Sequence, residues 1–396
     1  MQWKYIGIYL VLAGSLLCSR LTAEAKSDYE IINTGIKGGG CWLDDSHFVV
    51  QKNVPRQGSP GFDLEGLYIL DPRHPGALKP ISLASLEPRA KTRVWQVTCQ
   101  DGNITFLVPG SKKGSSRLYR LRIGEEPELI EDMRAPRVSL QGRYVLGNSH
   151  RAVMDGGPLQ GVFEGSDDCL LADAKAGFKV LCWDSWLERH WLLSKFVLSE
   201  YRWEKAIRVR GEDGKAKFAP NPRKPLSGKD GKSLTHTIFL RDLLGQIVAN
   251  LGEDPVYTIV AARGVAIAPN ETDLYAACRK KSQQFDDAPY ICRYPLDGKE
   301  HHWEEVLAFN QGGKFKNSIS DISVDFDGSL YFFVAGARHP YSGIWKFHVM
   351  AKQLEHVTTP AAYLNDEAPK ASQDGKSVAF SRSGTLFIAQ SKGVKQ

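Results

Sequence analysis

Short apolar runs separated by polar turns recur along most of the chain. Each turn contains Asp-Gly or a close variant, a β-prone run follows it, and a second strand comes after a variable loop. Strands of this length, bounded by turn-forming residues, predict an all-β protein. Clear copies are Asp101-Gly102 before 104–108, Asp327-Gly328 before 330–333 and Asp374-Gly375 before 378–380.

The spacing of these turns predicts a repeat architecture. Turn markers at positions 45, 101, 142, 271, 327 and 374 are separated by 41–56 residues, except for one gap of 129 that fits a hidden unit at about 186–251. Units of about 50 residues with several strands each are typical of propeller blades. The sequence therefore predicts a single β-propeller over residues 26–396, with seven blades and with six or eight as alternatives.

Two further segments fit this plan. Residues 29–34 have strand character, while the last unit supplies strands near 378–380 and 385–389 and then the chain ends. We expect the N-terminal strand to complete the last blade and close the ring. The segment at about 211–233, rich in Lys, Gly and Pro, predicts a basic, solvated loop insertion in the hidden unit.

The N-terminus resembles a cleavable secretory signal. Lys4 precedes a short apolar stretch at 5–17, and Ala23-Glu24-Ala25 follows as a small-residue cleavage site. We expect cleavage after Ala25 and a periplasmic or secreted protein with no membrane span. An uncleaved anchor helix and lipidation at Cys18 are the alternatives.

Composition and charge exclude several classes of protein. The 396 residues are 42% hydrophobic and 24% charged, which is ordinary for a globular protein and atypical of disorder or a collagen-like repeat. Removing 1–25 takes away two basic residues and one acidic residue, so the formal charge falls from +6 to +5. Such a mild excess does not predict a nucleic-acid partner.

Six cysteines remain after the leader, an even number that favours disulfides in an exported chain. None of them forms a CxxC pair of the kind that zinc sites use. Fifteen pairings are formally possible. The positions within the repeats favour Cys41 with Cys99, Cys169 with Cys182, and Cys278 with Cys292.

Residues 367–381 resemble the repeat of TolB-like propellers. The matching positions are Pro369, Ser372, Asp374, Gly375, Lys376, Val378, Ala379, Phe380 and Ser381, whereas Ala371 replaces the usual aromatic residue and Gln373 the proline. Proteins of that superfamily include periplasmic scaffolds, the propeller halves of prolyl oligopeptidase-like enzymes, and lyases. This chain has no room for a hydrolase domain and no G-x-S-x-G motif, which favours a propeller standing alone.

Five residues are candidates for ligand binding. Asp321, Asp366 and Glu367 are expected near the inner ends of their blades, where carboxylates could receive a cation, a polar ligand or a basic segment of a partner. Turn capping is the alternative role. Trp186 and Trp191 belong to a tryptophan-rich stretch and are either exposed binding residues or core.

No catalytic residue, metal site or cofactor is predicted. His301 and His302 are adjacent and would point to opposite faces of a strand, so an exposed turn is expected there. The sequons at Asn103 and Asn270 overlap predicted turns and are interpreted as chance occurrences.

The sequence thus favours an exported, non-catalytic, monomeric propeller that binds a protein or an envelope component through its loops. The alternative is a propeller enzyme, a lyase or hydrolase, that acts on an extracellular carbohydrate or small molecule in the central channel.

Overall fold

The computed structural model describes most of the chain between residues 28 and 392, and largely the strands alone between 137 and 242. The described ranges are 28–56, 62–91, 93–100, 102–110, 115–134, 137–138, 144–146, 150–153, 160–161, 169–170, 181–182, 188–193, 196–202, 206–210, 216–220, 226–227, 233–234, 236–242, 247–259, 264–282, 289–297, 299, 301–309, 318–335, 341–360 and 366–392. The leader 1–25, Trp186 and most of 211–233 lie outside them.

The first part of the chain builds two four-stranded sheets after an initial strand. The initial strand is β1 (Tyr29–Lys37). Sheet 1 consists of β2 (Gly40–Trp42), β3 (Phe48–Pro55), β4 (Phe62–Leu70) and β5 (Lys79–Pro80). After the short helix α1 (Pro88–Lys91), sheet 2 consists of β6 (Trp95–Gln100), β7 (Asn103–Pro109), β8 (Ser115–Arg122) and β9 (Glu128–Arg134).

Two more four-stranded sheets occupy the middle of the chain. Sheet 3 consists of β10 (Arg137–Val138), β11 (Tyr144–Leu146), β12 (His150–Val153) and β13 (Gln160–Gly161), and a small hairpin pairs β14 (Cys169–Leu170) with β15 (Leu181–Cys182). Sheet 4 starts with β16 (Glu188–Leu193) and β17 (Phe196–Arg202). It is interrupted by the hairpins β18 (Ala206–Arg210) with β19 (Ala216–Pro220) and β20 (Leu226–Ser227) with β21 (Ser233–Leu234). It ends with β22 (His236–Asp242) and β23 (Ile247–Asn250).

The C-terminal part supplies three sheets. Sheet 5 consists of β24 (Tyr257–Ile259), β25 (Val265–Ile267), β26 (Asp273–Lys280), β27 (Tyr290–Pro295) and β28 (Glu304–Ala308). Sheet 6 consists of β29 (Ser318–Val324), β30 (Leu330–Ala335), β31 (Gly343–His348) and β32 (Gln353–His356). Sheet 7 consists of β33 (Asp366–Ala371), β34 (Ser377–Arg382) and β35 (Thr385–Ser391), joined by β1.

The N-terminal strand and the last strand pair antiparallel. Tyr29 lies opposite Ser391 and Asn33 opposite Phe387, which is the pairing that the sequence predicts for this segment. The backbone N–H of Lys392 also donates to the carbonyl oxygen of Asp28 at 2.8 Å. The two ends of the described chain are therefore in contact.

Apolar side chains fill the spaces between successive sheets. The central strands β7 and β30 are buried on both faces, as expected where a sheet packs between two neighbours. Separate clusters of buried residues lie between sheets 1 and 2, 4 and 5, 5 and 6, and 6 and 7. A further cluster joins sheet 7 to sheet 1 and contains Trp42, Phe48, Leu386 and Ile388. The architecture is thus all-β and propeller-like.

Short strands lie in part of the stretch where the sequence predicts a loop insertion. The expected basic loop at 211–233 lies between β17 and β22, but the described part of this stretch forms two hairpins. Alternating residues at 206–210 and 216–220 explain the first of them. No helix in the described part of the chain is long and apolar enough to span a membrane.

Two of the three expected disulfides are confirmed. Cys41 in β2 is bonded to Cys99 in β6, with Cα atoms 5.6 Å apart, and Cys278 in β26 is bonded to Cys292 in β27, with Cα atoms 6.0 Å apart. The backbones of Cys169 and Cys182 are paired directly opposite each other in the β14–β15 hairpin. Their side chains lie outside the described residues.

Candidate functional site

Each antiparallel sheet has two ends, which we name by their connections. The turns between the first and second strands and between the third and fourth strands lie at one end, called the turn end. The other end, called the loop end, carries the start of each first strand. At the turn end, Phe326 N–H donates to the Gln373 carbonyl oxygen at 3.4 Å, and Asp374 N–H donates to Asp45 Oδ1 at 2.7 Å. The first turns of sheets 6, 7 and 1 are therefore neighbours.

Three first strands share a left-handed residue at a β-bulge. Gln96, Asp321 and Ala368 have φ angles of 49°, 49° and 51°, and each lies where the strand register shifts. A left-handed backbone conformation costs energy in residues other than glycine, and such conformations recur at binding sites. Bulges also redirect the neighbouring side chains.

The candidate Asp321 lies at one of these bulges. Its carboxylate Oδ2 accepts a hydrogen bond from Ala368 N–H at 3.4 Å, which links the first strands of sheets 6 and 7. Asp321 is half-buried, and the candidate Glu367, next to Ala368, is exposed. Both lie on the first strands of their sheets, and their role in ligand binding stays a prediction.

Asp366 lies in the interior and not on an open surface. Its side chain is fully buried, and its two oxygens accept hydrogen bonds from Arg382 Nε at 2.5 Å and Nη2 at 2.8 Å. The Arg382 guanidinium also lies over the Phe387 ring, 4.8 Å from its centroid. The Asp366 carboxylate is therefore occupied by a structural ion pair, although the sequence placed it among the candidate ligands.

The two candidate tryptophans cannot be placed in the same way. Trp186 lies outside the described residues. Trp191 is on β16, where its backbone pairs with Leu198, but its side chain lies outside the described part.

Exposed apolar and acidic residues gather at the turn end. Phe326 and Met350, in the two turns of sheet 6, are 64% and 91% exposed. We define the turn-end surface by these two side chains and the neighbouring carboxylates, namely Phe326, Met350, Asp44, Asp45, Asp327 and Asp374.

Hydrogen bonds keep two of these carboxylates ionised. Partial burial works to raise the pKa of Asp44, but the donated N–H groups of Ser46 and His47 and the His47 ring outweigh it and lower the pKa. Burial also works to raise the pKa of Asp374, but hydrogen bonds from the Lys376 N–H and the Ser372 hydroxyl outweigh it and lower the pKa. The turn-end surface therefore contains ionised carboxylates at neutral pH, of which Asp374 also pairs with Lys376 at 3.2 Å.

Buried polar side chains form a hydrogen-bonded network next to the first turn of sheet 7. Tyr331 Oη donates to the Gly375 carbonyl oxygen at 2.6 Å, and Lys346 Nζ donates to the same oxygen at 3.2 Å. Burial raises the pKa of Asp325, and the pKa of Tyr331 is raised by burial and by the charge of Asp325. A Cβ atom on Gly375, whose φ is 65°, would come within 2.4 Å of Asp325 Oδ2, so the turn requires glycine.

The histidines predicted to form an exposed turn have separate partners. His301 Nε2 lies 2.5 Å from Asp297 Oδ1, whereas the exposed His302 Nδ1 lies 3.5 Å from Asp254 Oδ2. Within the described ranges, no three His, Cys, Asp or Glu side chains are grouped as metal ligands would be.

The loop end of sheets 1 and 2 contains a pocket of about 340 Å³. Its walls are the second half of β3 with Arg56, the start of β4, and residues 93–95 before and within β6. The sequence analysis missed this pocket, because its walls come from segments about 40 residues apart and no local motif marks them. It also missed Phe326 and Met350, whose signal was a large apolar residue inside a polar turn.

Comparisons with known proteins give structural neighbours only. No family model and no curated protein matches the chain. Similar solved structures include the β-propeller domain of the trilobed protease from Pyrococcus furiosus (TM-score 0.46, 10% identity, 89% of this chain and 94% of that chain). Another is an oligogalacturonate lyase from Vibrio parahaemolyticus (TM-score 0.45, 11% identity, 93% of this chain and 94% of that chain). A third is a gluconolactonase from Xanthomonas campestris (TM-score 0.35, 16% identity, 78% of this chain and 93% of that chain). Because these TM-scores and sequence identities are low, the similar structures carry no argument about activity. The propeller-like description rests on this chain's own strand topology.

Proposed function

We propose that this chain is an exported, TolB-like propeller of seven blades that binds a protein partner through the turn-end surface. The seven sheets of the described chain would be the blades. Closure is supported by contacts between the first strands of sheets 7 and 1, since Lys370 Nζ donates to the Gly40 carbonyl oxygen and Trp42 Nε1 to the Lys370 carbonyl oxygen. The pairing of β1 with β35 supports it as well.

Export is supported by the disulfides. Cys41–Cys99 and Cys278–Cys292 persist in oxidising compartments such as the periplasm or the extracellular space, and are rare in the cytosol. The leader that the sequence predicts at 1–25 fits the same location.

The exposure of Phe326 and Met350 on one sheet carries the proposal of protein binding. Aromatic residues and methionine are enriched in the cores of protein interfaces, and large apolar side chains in exposed turns are available for such a contact. Methionine also adapts its shape to the surface that it meets. The surrounding carboxylates favour a partner whose surface carries basic residues, because complementary charge speeds association and selects the partner.

A capture experiment with matched variants tests this function. The mature protein and the double variant Phe326→Ser/Met350→Ser are used to capture proteins from the envelope fraction and culture fluid of the producing cell. We expect one protein to be enriched by the unmodified chain and lost by at least tenfold, about 1.4 kcal/mol, with the variant.

The control removes exposed apolar residues outside the turn-end surface. Leu129 in β9 and Val256 between sheets 4 and 5 are each 50% exposed, so Leu129→Ser/Val256→Ser should leave capture unchanged. Equal recovery with both double variants, or no specific protein with the unmodified chain, contradicts the proposal.

A further inference from the structure

We propose that the pocket between sheets 1 and 2 at the loop end binds a small ring compound that carries a carboxylate. This site is separate from the turn-end surface, so the proposal stands or fails independently of the protein partner. The pocket volume of about 340 Å³ lies at the lower end of the range of about 300–1,000 Å³ for small-molecule sites.

Free hydrogen-bond donors line the pocket. In the part of the chain that the structure describes, the Arg93 guanidinium, the Asn53 carboxamide and the Trp95 indole N–H have no hydrogen-bond or ionic partner. Asn53 and Trp95 are half-buried, and Arg93 is exposed. Because polar groups in a partly closed pocket favour a partner, this set of donors favours a ligand with strong acceptors.

The charges of the pocket point to an anion. Its carboxylate, Asp63, is already occupied, since Oδ1 accepts hydrogen bonds from Arg56 Nε at 3.0 Å and Nη2 at 2.9 Å. That pair is neutral as a whole, which leaves Arg93 as the uncompensated charge among the described lining residues. A guanidinium binds a carboxylate through two parallel hydrogen bonds, so this group is the natural partner of Arg93.

Aromatic side chains favour a flat ring beside the carboxylate. The Phe62 side chain is 55% exposed, and Trp95 lies at the register shift in β6. The left-handed Gln96 that follows Trp95 forms this bulge, which turns the local side chains away from the regular alternation. Rings of ligands stack on exposed aromatic faces of this kind.

The pocket is also preformed. The Gln51 carboxamide donates Nε2–H to the carbonyl oxygen of Val94 at 2.5 Å, which joins the wall from β3 to the wall before β6. The side-chain oxygen Oε1 of the same carboxamide accepts no hydrogen bond from the described residues and can accept one from a donor of the ligand. A site whose walls are fixed before binding loses less entropy on binding.

Calorimetric titration with matched probes tests the site. Benzoate carries the carboxylate and the ring, benzamide is its uncharged counterpart, and inorganic phosphate is an anion without a ring. We expect saturable benzoate binding, with affinity at least tenfold above that of benzamide and phosphate, and a decrease in affinity as salt is raised.

Two variants assign the binding to Arg93. We expect Arg93→Gln to lower benzoate affinity by at least tenfold, the size expected for a lost charge-assisted hydrogen bond, without changing the thermal midpoint. Arg73→Gln, which removes an exposed arginine at the turn end of sheet 1, should leave affinity unchanged. The proposal is overturned if benzoate does not saturate, if benzamide or phosphate binds equally well, or if Arg93→Gln binds as the unmodified protein does.

Discussion

The ion pair between Asp366 and Arg382 is the best-defined charged contact in the interior of sheet 7. Asp366 is fully buried, and the Arg382 side chain is 17% exposed and lies beside the rings of Phe380 and Phe387. Removing one member of such a pair leaves the other charge largely buried and without its partner, which is costlier than the net value of the pair itself.

We therefore expect Asp366→Asn to lower the free energy of unfolding by about 3–5 kcal/mol, measured by urea denaturation. Glu65→Gln is the matched control, because Glu65 pairs with Lys52 at 2.8 Å on the surface. Such a surface pair contributes about 0–1 kcal/mol. Similar losses in the two variants would show that Asp366 is not the buried structural residue described here.

The Cys41–Cys99 disulfide joins the first strands of two neighbouring sheets. It closes a loop between residues 58 apart, whereas Cys278–Cys292 spans 14 residues within sheet 5. Cross-links over longer loops restrict the unfolded chain more. The first bond should therefore contribute more than the second to the free energy of unfolding.

Replacing Cys41 and Cys99 with alanine should lower the free energy of unfolding by about 4 kcal/mol, the chain-entropy value for such a loop. Hydrogen exchange should rise first in β2 and β6. The control is to repeat the measurement in reductant, where the variant and the unmodified protein should have the same midpoint because the bond is absent from both. A difference that persists in reductant would assign the loss to side-chain packing.

The elements themselves were largely predictable from local signals. Asp-Gly turns and apolar runs located the first turns and the second strands of sheets 6 and 7, and the hidden unit at 186–251 corresponds to sheet 4 with its insertion. The signals are local because a turn or a short buried strand is specified by a few consecutive residues. The TolB-like residues at 367–381 fall on β33 and β34 with their connecting turn.

The unpredicted features depend on long-range contacts. The left-handed Gln96, Asp321 and Ala368 are not glycines, so nothing in the sequence marks their bulges. Asp366 could be recognised as buried only once Arg382 was placed opposite it in the neighbouring strand. The pocket required β3 and residues 93–95 to be brought together by the packing of two sheets.

At the scale of the whole molecule, the two ends of the sheets differ in chemistry. The turn end presents carboxylates around exposed Phe326 and Met350, whereas the pocket at the loop end has free donors and an uncompensated arginine. Because the two proposed sites lie at opposite ends of the strands, we expect occupation of one not to block the other. A protein partner and a small ligand could be bound together.

The proposed closure of the sheets into a ring makes a separate prediction about the chain ends. Asp28 and Lys392 are hydrogen-bonded, and β1 belongs to the last sheet although it begins the described chain. A covalent connection between these ends should preserve every strand pair. We expect a circular permutant, with 392 joined to 28 by about three Gly/Ser residues, to fold when the chain is opened in an exposed turn.

The turn between β8 and β9 is suited to the opening, because Glu125 and Glu126 are exposed there. Opened between these two residues, the permutant should keep its circular dichroism spectrum and a thermal midpoint within about 5 °C of the original. The control permutant is opened between Phe106 and Leu107, both completely buried in β7, and should not fold. If the permutant opened at the turn unfolds like the control, the ends are not joined as they are in this structure and the closed ring is wrong.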